Sequence, residues 1–265
     1  MKKILLIWLI TLIGSGVAFA ANLYNRKKTI SYSSAVVFLS DDCRNLVSLD
    51  DLEIFAKQIN GMPEGIPRIS FQQSDETLGN TFSDRLDKSR ELFNNSIARR
   101  TQQIFIAYKL GETYGLGNTI GAVWATNTGL ILLNDKRIAQ AYGYDREFVT
   151  NLIIHEILHI YGLDHASGVT SQFVKNTPVM NLGKGNKIGM SFDDRVGLLE
   201  NYGIENKMRE FEFKTEGGIV TLAKIRKKKH TQGKRVQDGL VKFTHVPKGS
   251  YWVYVDGIKE KKVKI

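Results

Sequence analysis

The sequence predicts a mixed α/β domain followed by a small all-β domain. Up to about residue 205, short runs of β-branched residues alternate with segments in which apolar residues recur at helical spacing. Beyond that point apolar and polar residues alternate, and turn signals recur at Asp238-Gly239, Pro247-Lys248-Gly249 and Asp256-Gly257. With 265 residues, 42% of them hydrophobic, the chain can bury a substantial core.

The elements of the first domain follow from these patterns. Strands are expected at residues 29–40 and 102–110 and in the segments PRISFQQ, GAVWAT and GLILLN. Helices are expected at residues 48–59 and 83–100 and in YDREFVTNLIIHEILHIYG, where Asp145 can cap the helix and Gly162 can end it. In the second domain, the runs GGIVTLAKI, GLVKFTHV, SYWVYV and KKVKI predict an antiparallel β-sandwich of five or six strands.

The N-terminus has the composition of a targeting segment. It reads MKKILLIWLITLIGSGVAFAA, so two lysines precede an apolar stretch and a small-residue site at Ala18-Phe19-Ala20. This order predicts a secretory signal peptide over residues 1–20. An uncleaved membrane anchor is the alternative, although the apolar stretch is short for a span of about 20 residues. We therefore expect a secreted protein or one of the periplasm or cell envelope.

The net charge of +10 divides the chain into two parts. Residues 1–205 contain 21 basic and 21 acidic residues, whereas residues 206–265 contain 16 basic and 6 acidic residues. This break predicts a first domain over residues 21–205 and a basic β-sandwich module over residues 206–265. The run KIRKKKH is typical of a solvated hairpin tip, but in so basic a module it also suits docking on an anionic envelope surface.

Three of the five histidines lie within the segment HEILHIYGLDH. On a helix, His155 and His159 are one turn apart, so both can direct a ring nitrogen at one ion about 2.0–2.1 Å away. Glu156 lies next to them and can act as a base without being a ligand. Gly162 permits a left-handed turn that lets His165 return as a third ligand. Three protein ligands and an open position are typical of catalytic zinc.

Two further features of the sequence favour a metal site without thiolates. The only cysteine, Cys43, excludes both an internal disulfide framework and a zinc site of several thiolates. The apolar residues around the histidines predict a buried helix, in which unpaired polar side chains are costly. Coordination of a metal ion would remove that cost.

The segment HEILHIYGLDH resembles the long zinc signature of the metzincin metallopeptidases. Met180, in the segment TPVMN, resembles the methionine of the family's Met-turn beneath the zinc. The likeness is closest to the matrixins, because NTIGAVWATNTGLILLND resembles their strand pair before the active-site helix and SFDDRVGLLENYG their C-terminal helix. The resemblance covers about residues 29–204 and implies a metzincin-type α+β domain with a mixed twisted sheet. The run GLVKFTHVPKGSYWVYVDG resembles prealbumin-like or Cna-B-like β modules.

The resemblance implies an exported zinc-dependent endopeptidase. Zn2+ would be held by His155, His159 and His165, and Glu156 would act as the general base. An extended substrate would pair with the edge strand that borders the cleft, at Ala122, Val123, Trp124, Ala125 and Thr126. Matrixins often mask the zinc with a propeptide cysteine, but Cys43 follows a predicted strand of the catalytic sheet, which favours a free, partly buried thiol.

Two other functions fit the same residues. One is a zinc hydrolase that acts on cell-wall peptides or another non-protein substrate. The other is a secreted binding or adhesion protein with an inert protease-like domain, against which the presence of Glu156 argues. We expect a peptide or protein substrate, no specific nucleic acid partner and a monomer.

Overall fold

The computed structural model describes residues 30–109, 120–125, 128–163, 180, 187–204, 209–225 and 231–265. The predicted signal peptide lies outside these ranges. The strands and helices of the N-terminal part, in chain order, are β1 (Ser34–Leu39), α1 (Leu49–Asn60), β2 (Arg68–Gln73), α2 (Phe82–Arg99), β3 (Gln102–Lys109), β4 (Gly121–Ala125), β5 (Leu130–Asn134), α3 (Asp135–Tyr142), α4 (Arg146–Ile160) and α5 (Phe192–Asn201). None of the helices in the described ranges is long and apolar enough to cross a membrane.

Five strands of the N-terminal part form one mixed sheet in the order β2-β1-β3-β5-β4. The pairs β1–β2, β1–β3 and β3–β5 are parallel. Helix α1 connects β1 to β2 and helix α2 connects β2 to β3, as crossovers between parallel strands require. Strand β4 runs antiparallel to β5 and lies at the edge of the sheet. The mixed α/β class predicted from the sequence is therefore confirmed.

The sheet has a hydrophobic core on each face. Successive residues of a strand point to opposite faces, and β3 shows the result. Ile104 and Ile106 belong to the main cluster, which also contains buried residues of α1, α4 and α5. Phe105 and Ala107 belong to a smaller cluster with Leu92 of α2. The centre of the sheet is thus covered by helices on both faces, which accounts for the nearly continuous burial of β3 and β5.

Helix α4 begins and ends where the sequence indicated. The Asp145 side chain accepts a hydrogen bond from the Phe148 N–H over 3.2 Å and so caps the first turn. At the other end, Gly162 has a φ of +89°. Its N–H donates to the His159 carbonyl, and the Leu163 N–H donates to the carbonyl of Leu158. These two bonds form a Schellman motif, for which glycine is the favoured residue.

The C-terminal part consists of six strands within the described residues. They are β6 (Arg209–Lys214), β7 (Ile219–Lys224), β8 (Thr231–Arg235), β9 (Leu240–Val246), β10 (Ser250–Val255) and β11 (Ile258–Lys264). Four form an antiparallel sheet in the order β11-β10-β7-β8, and β6 pairs with β9. The two sheets enclose a separate cluster that includes Leu222, Phe243 and Tyr251. At the predicted turns Asp238-Gly239 and Asp256-Gly257 both residues have positive φ, as tight hairpins of this kind require.

Candidate functional site

Helix α4 carries its polar residues into the interior of the protein. From Phe148 to Ile160 every residue is buried except His159, which is partly exposed. The helix is therefore apolar on nearly all sides, as expected of a central helix. His155 and Glu156 are only 7% and 4% exposed. Such burial demands partners for both side chains, and the partial exposure of His159 marks the side on which solvent can reach the site.

The two imidazole rings of α4 converge on one point. Nε2 of His155 and Nε2 of His159 are 3.1 Å apart, and the ring planes are nearly perpendicular, at 87°. For a tetrahedral zinc ion with nitrogen ligands at about 2.0–2.1 Å, two ligand nitrogens lie about 3.3–3.4 Å apart. The observed separation of the two nitrogens is close to that value. The pair therefore fits two ligand positions of one zinc ion.

A backbone carbonyl fixes the orientation of the second imidazole. Nδ1 of His159 lies 2.8 Å from the carbonyl oxygen of Leu163, just after the Gly162 turn. A carbonyl only accepts hydrogen bonds, so Nδ1 carries the proton and Nε2 keeps its lone pair. Metal-binding histidines usually have such an acceptor on the ring nitrogen that does not bind the metal. The turn after α4 therefore prepares His159 to act as a ligand through Nε2.

The carboxylate of Glu156 lies against strand β4. The Val123 N–H donates a hydrogen bond to it, and a Cβ added to Gly121 would lie 2.9 Å from its Oε1. Burial raises the pKa of Glu156 to about 8, and the bond from Val123 opposes this increase. Glycine at position 121 leaves room for the carboxylate between helix and strand. Glu156 is thus a buried group with a high affinity for a proton, adjacent to the histidine pair.

Strand β4 was expected to border the substrate, and the structure places it at the sheet edge beside α4. Of the predicted substrate-binding residues, Ala122, Val123, Trp124 and Ala125 lie in this strand, and Thr126 lies outside the described residues. The Val123 N–H is already bonded to Glu156, so it is not free to pair with a substrate. Substrate pairing along this strand remains a prediction.

Met180 is buried in the main core cluster, which also contains most of the apolar residues of α4. Its N–H donates to Oδ1 of Asp194 over 3.3 Å. Oδ2 of the same carboxylate accepts from the Ser191 N–H, and the Ser191 hydroxyl accepts from the Asp194 N–H, which completes a capping box at the start of α5. Asp194 therefore connects Met180 to helix α5.

The structure brings together two of the three predicted metal ligands, His155 and His159, and Glu156 directly follows His155 on the same helix. The third, His165, lies outside the described ranges. Within those ranges no group of three His, Cys, Asp or Glu side chains is arranged to hold a metal ion. The described residues therefore include two of the three ligands predicted for this centre.

Sequence reasoning missed Asn151, which lies one turn before His155. It is buried, its Oδ1 accepts from the Gly189 N–H over 3.1 Å, and its Nδ2 donates to the Lys187 carbonyl over 3.4 Å. Asn151 thus ties the segment before α5 to the site helix. An amide side chain in an otherwise apolar helix was the available signal, because such a group must find partners when it is buried.

Cys43 is a free thiol, as expected, and it is fully buried rather than partly buried. Its sulfur lies 3.6 Å from the Ile106 carbonyl and 3.5 Å from the Ser40 hydroxyl. It packs in the main core cluster. The thiol is therefore part of the packed interior of the sheet.

Comparison with known proteins adds no relative: no protein-family model, curated protein or solved structure matches the chain. The metzincin resemblance accordingly rests on the zinc motif and its neighbouring segments.

Proposed function

We propose that the protein is an exported zinc-dependent endopeptidase of metzincin type. The observation that carries this proposal is the convergence of two imidazole Nε2 atoms, 3.1 Å apart, on the helix that also carries the buried Glu156 carboxylate. Two imidazole nitrogens that converge at this distance can bind one zinc ion together, and imidazole is a ligand that zinc prefers.

His155 and His159 would hold Zn2+ through Nε2, with His165 as the predicted third ligand. When bound there, zinc supplies a Lewis acid that polarises a peptide carbonyl and lowers the pKa of water. The donor set suits this metal, because zinc prefers imidazole nitrogen and catalytic sites commonly use three protein ligands. Leu163 contributes by holding the protonated Nδ1 of His159.

Glu156 would move the proton in this reaction. Its buried carboxylate, on the residue that directly follows His155 in α4, would accept a proton from a water molecule in the site. It takes the proton from the water that attacks the scissile carbonyl and then delivers it to the amine that leaves. The Val123 N–H donates a hydrogen bond that orients this carboxylate. In this proposal Glu156 acts as the general base, and the zinc ligands are the histidines.

The substrate would lie as an extended peptide along β4. An edge strand offers unpaired backbone groups on its free side, and strand addition is a common mode of peptide binding. The segment from Ala122 to Thr126 is the predicted pairing site, except for the Val123 N–H, which is bonded to Glu156. The contact of Glu156 with β4 would bring the bond to be cut next to the base.

The basic C-terminal module would dock the enzyme on an anionic envelope surface. Lys227, Lys228 and Lys229 of the predicted hairpin tip lie outside the described residues. Strand β11, however, is an exposed edge of the four-stranded sheet and carries four lysines, at positions 259, 261, 262 and 264. Lys259 Nζ lies 3.5 Å from the centroid of the Trp252 ring, which holds this ammonium group against the sheet. Such a row of positive charge suits an acidic polymer.

Substitution of Glu156 by glutamine tests the proposed function. The variant should retain its zinc and lose peptide hydrolysis by at least about 100-fold, since general-base catalysis contributes about 10²–10⁴-fold. Glu147→Gln is the matched control, because Glu147 lies in the exposed first turn of the same helix. Full activity of Glu156→Gln, or loss of its zinc, contradicts the assigned role. Hydrolysis of cell-wall peptides or glycans but not of proteins would instead identify a different substrate class.

A further inference from the structure

Helix α5 joins the C-terminal strands to the N-terminal part through buried polar contacts. The Gly233 N–H of β8 donates to Oδ1 of Asp193 over 3.3 Å. Nζ of Lys234 lies 2.5 Å from Oε1 of Glu200, and both side chains are largely buried. The Thr244 hydroxyl of β9 donates to the same oxygen. Because a buried charge that loses its partner is costly, these contacts fix α5 against the module.

The same helix also reaches the candidate site. Asn201, the last residue of α5, donates from Nδ2 to the Tyr161 carbonyl over 2.8 Å. Tyr161 is the C-cap of α4, and carbonyls at a helix C-terminus need partners outside the helix. A Cβ added to Gly162 would lie only 2.4 Å from Nδ2 of Asn201, so the two are in close contact. At the start of α5, Asp194 binds the Met180 N–H.

The turn that Asn201 holds is the turn that orients His159. It brings the Leu163 carbonyl to within 2.8 Å of Nδ1 of His159. If the turn shifts, the ring loses this acceptor and Nε2 is no longer directed at Nε2 of His155.

We propose that α5 is a positioning element for the metal site, with Asn201 as its contact residue and the β module as its support. Asn201 holds the turn after α4 and thereby the orientation of the His159 ring. Lys234 and Thr244 hold α5, and so keep Asn201 in place. The module is then a structural part of the site rather than a separable appendage.

The proposal rests on the proposed zinc site, and its test measures metal binding rather than hydrolysis. Asn201→Ala should weaken zinc affinity by about 10–100-fold, the usual effect of losing a group that orients a ligand. The affinity is measured by competition with a chromogenic chelator. The visible absorption spectrum of the Co2+-substituted protein reports the ligand geometry and should change as well.

Asn60→Ala is the matched control. Asn60 also bonds backbone through its side chain, with Nδ2 2.9 Å from the Ile69 carbonyl and Oδ1 2.8 Å from the Ile69 N–H. These bonds join α1 to β2, at the sheet edge opposite β4. The control variant should lose stability and keep both the zinc affinity and the Co2+ spectrum of the wild type.

Lys234→Met tests whether the module supports α5, because Lys234 lies outside the candidate metal site. It should weaken zinc affinity by about two- to thirtyfold, the usual range for coupling between distant sites. Lys242→Met removes an exposed pair with Glu210, between β9 and β6, and should have no effect. Unchanged affinity in both Asn201→Ala and Lys234→Met overturns the inference while the zinc site stands. Absence of zinc binding by the wild-type protein overturns the proposed function itself, and the inference with it.

Discussion

Replacement of Gly162 by alanine tests how the turn after α4 is held. Gly162 has a φ of +89°, and an added Cβ would lie 2.4 Å from Nδ2 of Asn201. The positive φ costs about 1–2 kcal/mol for an L-residue. Displacement of Asn201 also removes its hydrogen bond to the Tyr161 carbonyl, which contributes about 0.5–1.5 kcal/mol. We therefore expect Gly162→Ala to lower the free energy of unfolding by about 1.5–3.5 kcal/mol.

Gly143→Ala separates the two contributions. Gly143 also has a positive φ, of +63°, but none of the described heavy atoms lies within 4 Å of its added Cβ. This variant should lose only the conformational part, about 1–2 kcal/mol. The assay is urea unfolding followed by circular dichroism. In an Asn201→Ala background the close contact is absent, so Gly162→Ala should then cost no more than Gly143→Ala. A penalty at Gly162 that is the same with and without Asn201 would refute the reasoning.

Three further predictions follow from buried or charged groups. Burial raises the pKa of Asp193 well above its ordinary value of 3.8, and the neighbouring Asp194 raises it further. Above about pH 4, folding therefore takes up a proton at Asp193, and this lowers the free energy of unfolding as the pH rises. The stability of Asp193→Asn minus that of the wild type, measured by thermal unfolding, should therefore be larger at about pH 8 than at about pH 4. An equal difference at both pH values contradicts this. Met180→Leu should cost less than about 1.5 kcal/mol in chemical denaturation and keep its zinc, since a thioether that packs in the core is not a ligand; loss of the metal would argue otherwise. Salt-dependent co-sedimentation with an acidic polysaccharide should weaken when three exposed lysines of β11 are replaced by glutamine. It should not weaken when three exposed lysines elsewhere are replaced in the same way. Equal binding by the two triple variants would contradict the docking role. The first set is Lys259, Lys262 and Lys264, and the control set is Lys57, Lys136 and Lys214.

Local signals in the sequence were sufficient to predict most elements that form the site. The Ser48 cap of α1 accepts a hydrogen bond from the Asp51 N–H, and the limits of α4 at Asp145 and Gly162 are those that the capping rules indicate. Helix α3 was missed although Asn134 caps it and Gly143 ends it, because it follows β5 without an intervening loop. Short helices of this kind lack a long apolar period.

The contacts that orient the site could not be predicted from the sequence. Asn201 lies 40 residues from Tyr161, and Asp194 lies 14 residues from Met180. Neither pair belongs to a periodic pattern, and a polar residue at the end or start of a helix is usually explained by capping alone. Only the contacts of α5 with the turn after α4 and with Met180 show that these side chains also hold the turn and the methionine. The spacing of His155 and His159, in contrast, fixes their convergence through helix geometry itself.

Zinc content tests the central claim that His155 and His159 are ligands of one catalytic metal ion. The measurement is elemental analysis of the protein after exposure to zinc and removal of loosely bound metal. We expect about one zinc per chain in the wild type, and little or none in His155→Ala, His159→Ala and His165→Ala, because each removes one of three ligands. A wild-type protein without zinc, or a His155→Ala/His159→Ala variant that holds as much zinc as the wild type, would contradict the claim.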